Sequence, residues 1–142
     1  MILIDANLLL YAYDPQSSHH ALAKAWLERT LSGPHLVRFA WMTLWAFLRV
    51  ATNARVYERP LSIEEAEHAV TSWLEQPFVG ILEPGERHWE ILRRLTTTGQ
   101  VAGSLVMDAA LAALAIEHGA TLYTTDRDFA RFAELRWTNP VA

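Results

Sequence analysis

Asp5, Asp108, Asp126 and Asp128 are four of only five aspartates in the chain, against eleven glutamates. Asp5 ends the apolar run Met1-Ile2-Leu3-Ile4, and Asp108 opens an alanine-rich stretch. Asp126 and Asp128 follow a second apolar run, Thr121-Leu122-Tyr123-Thr124. Short carboxylates that cap buried strands or enter helices can converge on one point of an α/β fold. An aspartate group without His or Cys companions suits hard, oxygen-seeking cations such as Mg²⁺ or Mn²⁺. Such a group points to metal-assisted phosphodiester chemistry. Each residue also has a plainer reading. Asp is a preferred helix cap, negative charge favours helix N-termini, and Asp-Arg-Asp after a strand is an ordinary loop. For Asp108 one feature counts against the plain reading: it is flanked by Val106, Met107, Ala109 and Ala110, a costly place for an unpaired carboxylate. Thr124 and Thr125 add hydroxyls that can hold a water or a ligand.

The elements that must position these residues alternate. Residues 1–4 read as a buried strand, after which the chain turns through Asn7 towards Tyr13. The segment Asp14-Pro15-Gln16-Ser17-Ser18 carries turn and helix-start signals, and a helix follows over residues 19–31 until Gly33-Pro34 stops it. Residues 35–39 read as a second strand. Leu44, Phe47, Leu48 and Ala51 recur at helical spacing within a helix over 41–51. Ser62 and Glu65 have capping-box spacing for a helix running to Leu74. A third strand lies within 77–82, a helix over 86–97, and a loop over 99–103. The stretch 104–118 is helical, with Gly119 as its C-cap. A fourth strand at 121–124, a short helix at 128–132 and a strand around 135–137 close the chain. This alternation predicts a mainly parallel, three-layer α/β sheet of four to five strands in one domain over 1–142. In such sheets the functional cleft lies beyond the carboxyl ends of the strands, where Asp5 and Asp126 fall.

Composition narrows the classes further. With 142 residues, 51% of them hydrophobic, the chain can bury a single core. It has no cysteine, which excludes disulfides, zinc–thiolate sites and cysteine nucleophiles. No run reaches the roughly 18 apolar residues of a membrane span, and Asp5 interrupts the N-terminal run too early for a signal peptide. A cytoplasmic protein with no membrane association is expected. A net charge of −4 argues against a general nucleic-acid coat. Eleven of the twelve basic residues are Arg, the residue suited to forked contacts with phosphate, although a compositional bias gives the same pattern. Glu64, Glu65 and Glu67 read as a solvated helix face, and His19 and His20 as surface residues. Trp41 and Trp45, one turn apart, read as core anchors in preference to a docking surface for a partner helix.

Taken in order, Met1-Ile-Leu-Ile-Asp5-Ala-Asn7, Phe47-Leu-Arg49-Val-Ala-Thr52-Asn53, Val106-Met-Asp108 through His118-Gly119, and Thr124-Thr-Asp126-Arg-Asp128-Phe129 resemble the PIN-domain nucleases, specifically the VapC-type toxins of bacterial toxin–antitoxin pairs. The closing Leu135-Arg-Trp-Thr-Asn139-Pro140 resembles the family's ending, so the likeness spans the chain. It implies a small α/β/α sandwich, Mg²⁺- or Mn²⁺-dependent endoribonuclease activity, inhibition by a cognate antitoxin protein, and a homodimer. It also implies that Asp5, Asp108 and Asp126 are metal ligands and catalytic residues, with Thr124 as the adjacent hydroxyl and Asp128 as an outer helper. Arg49 and Arg127 are candidates for contacts with RNA phosphates, and a structural ion pair is the rival role for Arg49. One departure stands out: the helix containing Arg49 holds Ala46 where such toxins usually carry Glu. Ala46 favours a rival reading, a catalytically silent module that binds RNA or an antitoxin without cleavage. A phosphoacceptor receiver domain also places Asp at strand ends, but it needs a late Lys, and the only Lys is Lys24.

Overall fold

The computed structural model describes residues 1–142. Five strands form one all-parallel sheet in the order β3-β2-β1-β4-β5. They are β1 (Ile2–Ile4), β2 (Val37–Ala40), β3 (Val79–Leu82), β4 (Thr121–Tyr123) and β5 (Trp137–Thr138). Helices α1 (Ala6–Ala12) and α2 (His20–Ser32) link β1 to β2, and α3 (Trp41–Ala51) and α4 (Ile63–Leu74) link β2 to β3. Helices α5 (His88–Thr98) and α6 (Leu105–His118) carry the chain from β3 back to β4, and a 3₁₀ turn at Arg127–Arg131 precedes β5.

Side chains alternate across the short strands, as a sheet covered on both faces requires. Leu3, Ala40, Leu82 and Leu122 join one buried cluster with Ile91 and Leu95 of α5 and the alanine-rich face of α6. Ile4, Val37 and Phe39 join the other with Leu8, Trp26, Phe47 and Trp73, from α1 to α4. The result is an α/β/α sandwich with four helices on one face and two on the other.

The connections fix where the crevice lies. The chain steps outward from β1 to β2 to β3 over one face, then returns over the other face to set β4 beside β1. The β1–β4 boundary is therefore the topological switch point, where parallel sheets open a crevice at their carboxyl edge.

Helices α3 and α4 begin and end where the spacing predicts, and α4 carries the full capping box. Gly119 closes α6 in the left-handed region at φ 67°. Three expectations need correction. The segment after Asp5 is a seven-residue helix with Leu8, Leu9 and Ala12 buried, where the sequence suggests only a turning stretch. The last strand is two residues later than expected, because pairing with Leu122 and Tyr123 selects Trp137 and Thr138. Trp41 and Trp45 are 41% and 62% exposed: the buried stripe of α3 is Thr43, Leu44, Phe47 and Ala51, which turns both indoles outward.

Candidate metal centre

Register builds the site from its floor. Ile4 pairs with Tyr123 across β1 and β4, and the Asp5 N–H donates to the Tyr123 carbonyl at 3.0 Å. The next residue on each strand, Asp5 and Thr124, is thereby brought face to face. The Thr124 hydroxyl, fully buried, donates to Asp5 Oδ2 at 2.8 Å. It accepts from Asn7 Nδ2 at 3.2 Å and from the Asp126 N–H at 3.0 Å. Asp5 Oδ1 caps α1 by accepting from the Ala6 N–H at 2.8 Å. One threonine oxygen thus couples β1, β4, α1 and the loop that follows β4.

Asp126 Oδ1 accepts from the Asp128 N–H at 2.8 Å and caps the 3₁₀ turn. Asp108 arrives from the other helical layer, in the first turn of α6. Carboxylate oxygens of Asp108, Asp126 and Asp128 lie within 4.8 Å of one another. Burial, followed by the charges of Asp126, Asp5 and Asp128, pushes the Asp108 carboxyl up to about 6, while Arg131 pulls it down. Burial also raises the Asp5 carboxyl, against the lowering effect of its hydrogen bonds from Thr124 and Ala6, and Asp126 adds to the rise. Buried Asn7 Oδ1 has no hydrogen-bond partner.

These features are what a cation would relieve. Asp108 receives no hydrogen bond that would lower its pKa, and its neighbours are like charges. An all-oxygen set of this kind suits Mg²⁺ or Mn²⁺. The residues present fit a hard divalent ion.

The sequence-derived residues come together unequally. Asp108 and Asp126 lie in the tight trio, whereas Asp5, expected as a third ligand, stands outside it, joined to Asp108 and Asp126 by charge and to Thr124 by a hydrogen bond. Asp128, expected as an outer helper, lies within the tight trio. Arg127 is exposed beside it. Arg49 is exposed in the last turn of α3, eight residues and about 12 Å along the helix axis from Trp41. It forms no ion pair, because the one ion pair in the chain is Arg94–Glu134. No acid from α3 reaches the site, since α3 contains none. Sequence reasoning missed Arg131, the cation that acts on Asp108. Its signal was the spacing Asp128-Phe-Ala-Arg131, which puts it one turn after the last carboxylate.

The family model of the PIN domain matches residues 2–135. The chain belongs to the PIN domain family. This PIN domain is 44% identical over 142 residues to Ribonuclease VapC37 of Mycobacterium tuberculosis, spanning 100% of this chain and 99% of that protein. It is 42% identical over 141 residues to Ribonuclease VapC33 of the same species, spanning 99% of each. Its fold matches VapBC-1 from nontypeable Haemophilus influenzae with a TM-score of 0.68 at 21% identity, covering 100% of both chains. It matches VapBC2 from Rickettsia felis, bound to a fragment of promoter DNA, with a TM-score of 0.68 at 20% identity, covering 98% of both chains. No helix of the PIN domain is long and apolar enough to cross a membrane.

Proposed function

We propose that this PIN domain is a Mg²⁺- or Mn²⁺-dependent endoribonuclease and the toxin of a type II toxin–antitoxin pair. The observation that carries the reading is the convergence of Asp5, Asp108, Asp126 and Asp128 at the β1–β4 crevice, in a chain alike over its full length to proteins named as VapC ribonucleases.

Asp108, Asp126 and Asp128 would hold the ion, with Asp5 facing it from β1. When bound, Mg²⁺ or Mn²⁺ polarises a scissile phosphate and makes an attacking water more acidic. The chain's own groups set the stage. Thr124 fixes the Asp5 carboxylate through its hydroxyl and holds the Asp126 backbone in place. The Ala6 N–H keeps the other Asp5 oxygen oriented. Mg²⁺ needs only one or two carboxylates when substrate oxygens complete its shell, so the set suffices with Ala46 in α3. Exposed Arg127 and the more distant Arg49 supply looser contacts with RNA phosphates. Exposed Trp41 and Trp45 offer α3 an apolar strip for the antitoxin or for a second copy of the chain.

Ala46 also supports a second reading, a silent module that binds RNA or an antitoxin without cutting. Incubation of purified protein with total cellular RNA and Mg²⁺ or Mn²⁺ separates the two. Discrete fragments that vanish with EDTA, and in Asp108→Asn and Asp5→Asn, are the expected result. Intact RNA from folded wild-type protein would leave the silent module.

A further inference from the structure

We propose that Arg131 grips a phosphate of the bound RNA beside the carboxylate cluster. This rests on the ribonuclease reading and gives its site a substrate-binding residue that the net charge of −4 does not indicate.

The geometry is that of a guanidinium held rigid without being neutralised. Arg131 Nε donates to the Asp128 carbonyl at 3.2 Å, and Nη1 donates to the Gly99 carbonyl at 3.0 Å. Both acceptors are uncharged. Arg131 pairs with no carboxylate, the one ion pair being Arg94–Glu134, and Nη2 makes no hydrogen bond. The side chain is exposed, yet its charge acts on Asp108 against the three neighbouring carboxylates. Arg131 is thus a fixed positive charge on the crevice with donor capacity to spare.

Arg normally loses much rotamer freedom on binding a ligand, and a group already pinned by its own fold has met that cost beforehand. A planar guanidinium with free N–H groups matches phosphate oxygens. The setting calls for such a group. The chain carries a net charge of −4, and an acidic crevice repels a polyanion unless local cations offset it. No other cation acts on the carboxyl of Asp5 or Asp108.

The competing role is mechanical. Arg131 ties the 3₁₀ turn to Gly99 at the end of α5, so it could serve only to brace the α5–α6 loop. A brace and a phosphate contact differ in salt dependence. Neutralising one phosphate on a single strand contributes about 0.7 to the slope of log affinity against log salt, whereas a brace contributes nothing to it.

The experiment is equilibrium binding of a short fluorescein-labelled single-stranded RNA across a salt series, with Ca²⁺ replacing Mg²⁺ so that the RNA stays whole. Wild type, Arg131→Met, Arg131→Lys and Arg29→Met are compared, each with a thermal melt. Arg29 is exposed near the end of α2, beside Thr121 at the amino end of the sheet, and controls for loss of one charge. Arg131→Met is expected to weaken binding about tenfold and to reduce the salt slope by about 0.7. Arg131→Lys, which keeps the charge but not the two-carbonyl bridge, should recover part of the affinity and most of the slope. Arg29→Met should stay within about twofold of wild type. A lower melting temperature in Arg131→Met, with affinity and slope unchanged, would reduce Arg131 to a brace and leave the ribonuclease reading standing. A folded wild type that neither binds nor cuts RNA would overturn both.

Discussion

The residue that carries most of the electrostatic cost is Asp108. Its carboxyl is raised to about 6 by burial and by three neighbouring carboxylates, while the same group in an unfolded chain titrates near 3.8. The folded protein therefore holds this proton more tightly than the unfolded one. Without metal, the contribution of Asp108 is most favourable below pH about 4 and is lost as pH rises through about 6. The group is partly open to solvent, so screening brings the cost at pH 8 down to about 1 kcal/mol. Asp108→Asn should accordingly stabilise the metal-free protein by about that amount at pH 8 and hardly at all at pH 4, read by urea denaturation in EDTA. The same variant should lose Mn²⁺ binding in calorimetry. If Asp108→Asn were instead less stable than wild type at pH 8, Asp108 would have an internal partner. The sequence makes Asp108 conspicuous through its apolar flanks. It cannot show that Asp5 has both oxygens engaged by Ala6 and Thr124, nor that Asp128 folds back into the cluster, because those depend on strand register and on a cap.

At the scale of elements, local chemistry was legible wherever it acts within one segment. The Ser62–Glu65 box, the stripe Leu44, Phe47 and Ala51, and Gly119 each set a boundary without help from the rest of the chain. Helix α1 was not legible. It has seven residues, too few to hold by propensity alone, and stands because Asp5 caps it and Leu8 and Leu9 are buried. Helix α5 is another element fixed from a distance. Its entry turn is capped by Glu117 of α6, which accepts from the Gly85 N–H at 2.8 Å and the Arg87 N–H at 3.0 Å. Burial works to raise the Glu117 carboxyl, but these two donors, with His118 and His88 nearby, outweigh it and lower the pKa. A lowered carboxylate stabilises the fold above its unfolded pKa and loses that contribution as pH falls through the folded value. Glu117→Gln should cost about 1 kcal/mol at pH 7, with the difference from wild type shrinking below pH about 4. Gly85→Ala should produce a similar loss, since a Cβ there would lie 2.5 Å from Glu117 Oε2 and displace the carboxylate. Urea titrations of both variants at pH 7 and pH 4 test this, and a pH-independent deficit in Glu117→Gln would remove the charge from the explanation.

For the whole molecule, the site is a seam. Asp5 and Asn7 belong to the strand end and helix that pack with the four-helix layer, while Asp108 projects from the two-helix layer across the sheet. Neither layer contains the cluster, so the crevice exists only while both are docked on β1 and β4. Each layer's cluster has sixteen buried residues, and β1 contributes Leu3 to one and Ile4 to the other, which binds the layers into one cooperative unit. Leu8→Ala on one face and Leu122→Ala on the other should each cost about 2–5 kcal/mol. Both should still unfold in one transition, with far-ultraviolet circular dichroism and tryptophan fluorescence superimposing. On the proposed metal site, Mn²⁺ would bind only the assembled seam, so at a hundred times its dissociation constant it should add about 2.7 kcal/mol to wild type and to both variants alike. Two transitions, or Mn²⁺ protection confined to one of them, would mean that one layer alone holds the ion. The equal increment is the sharper result, because it ties the carboxylate cluster to the docking of both layers and not to either set of helices.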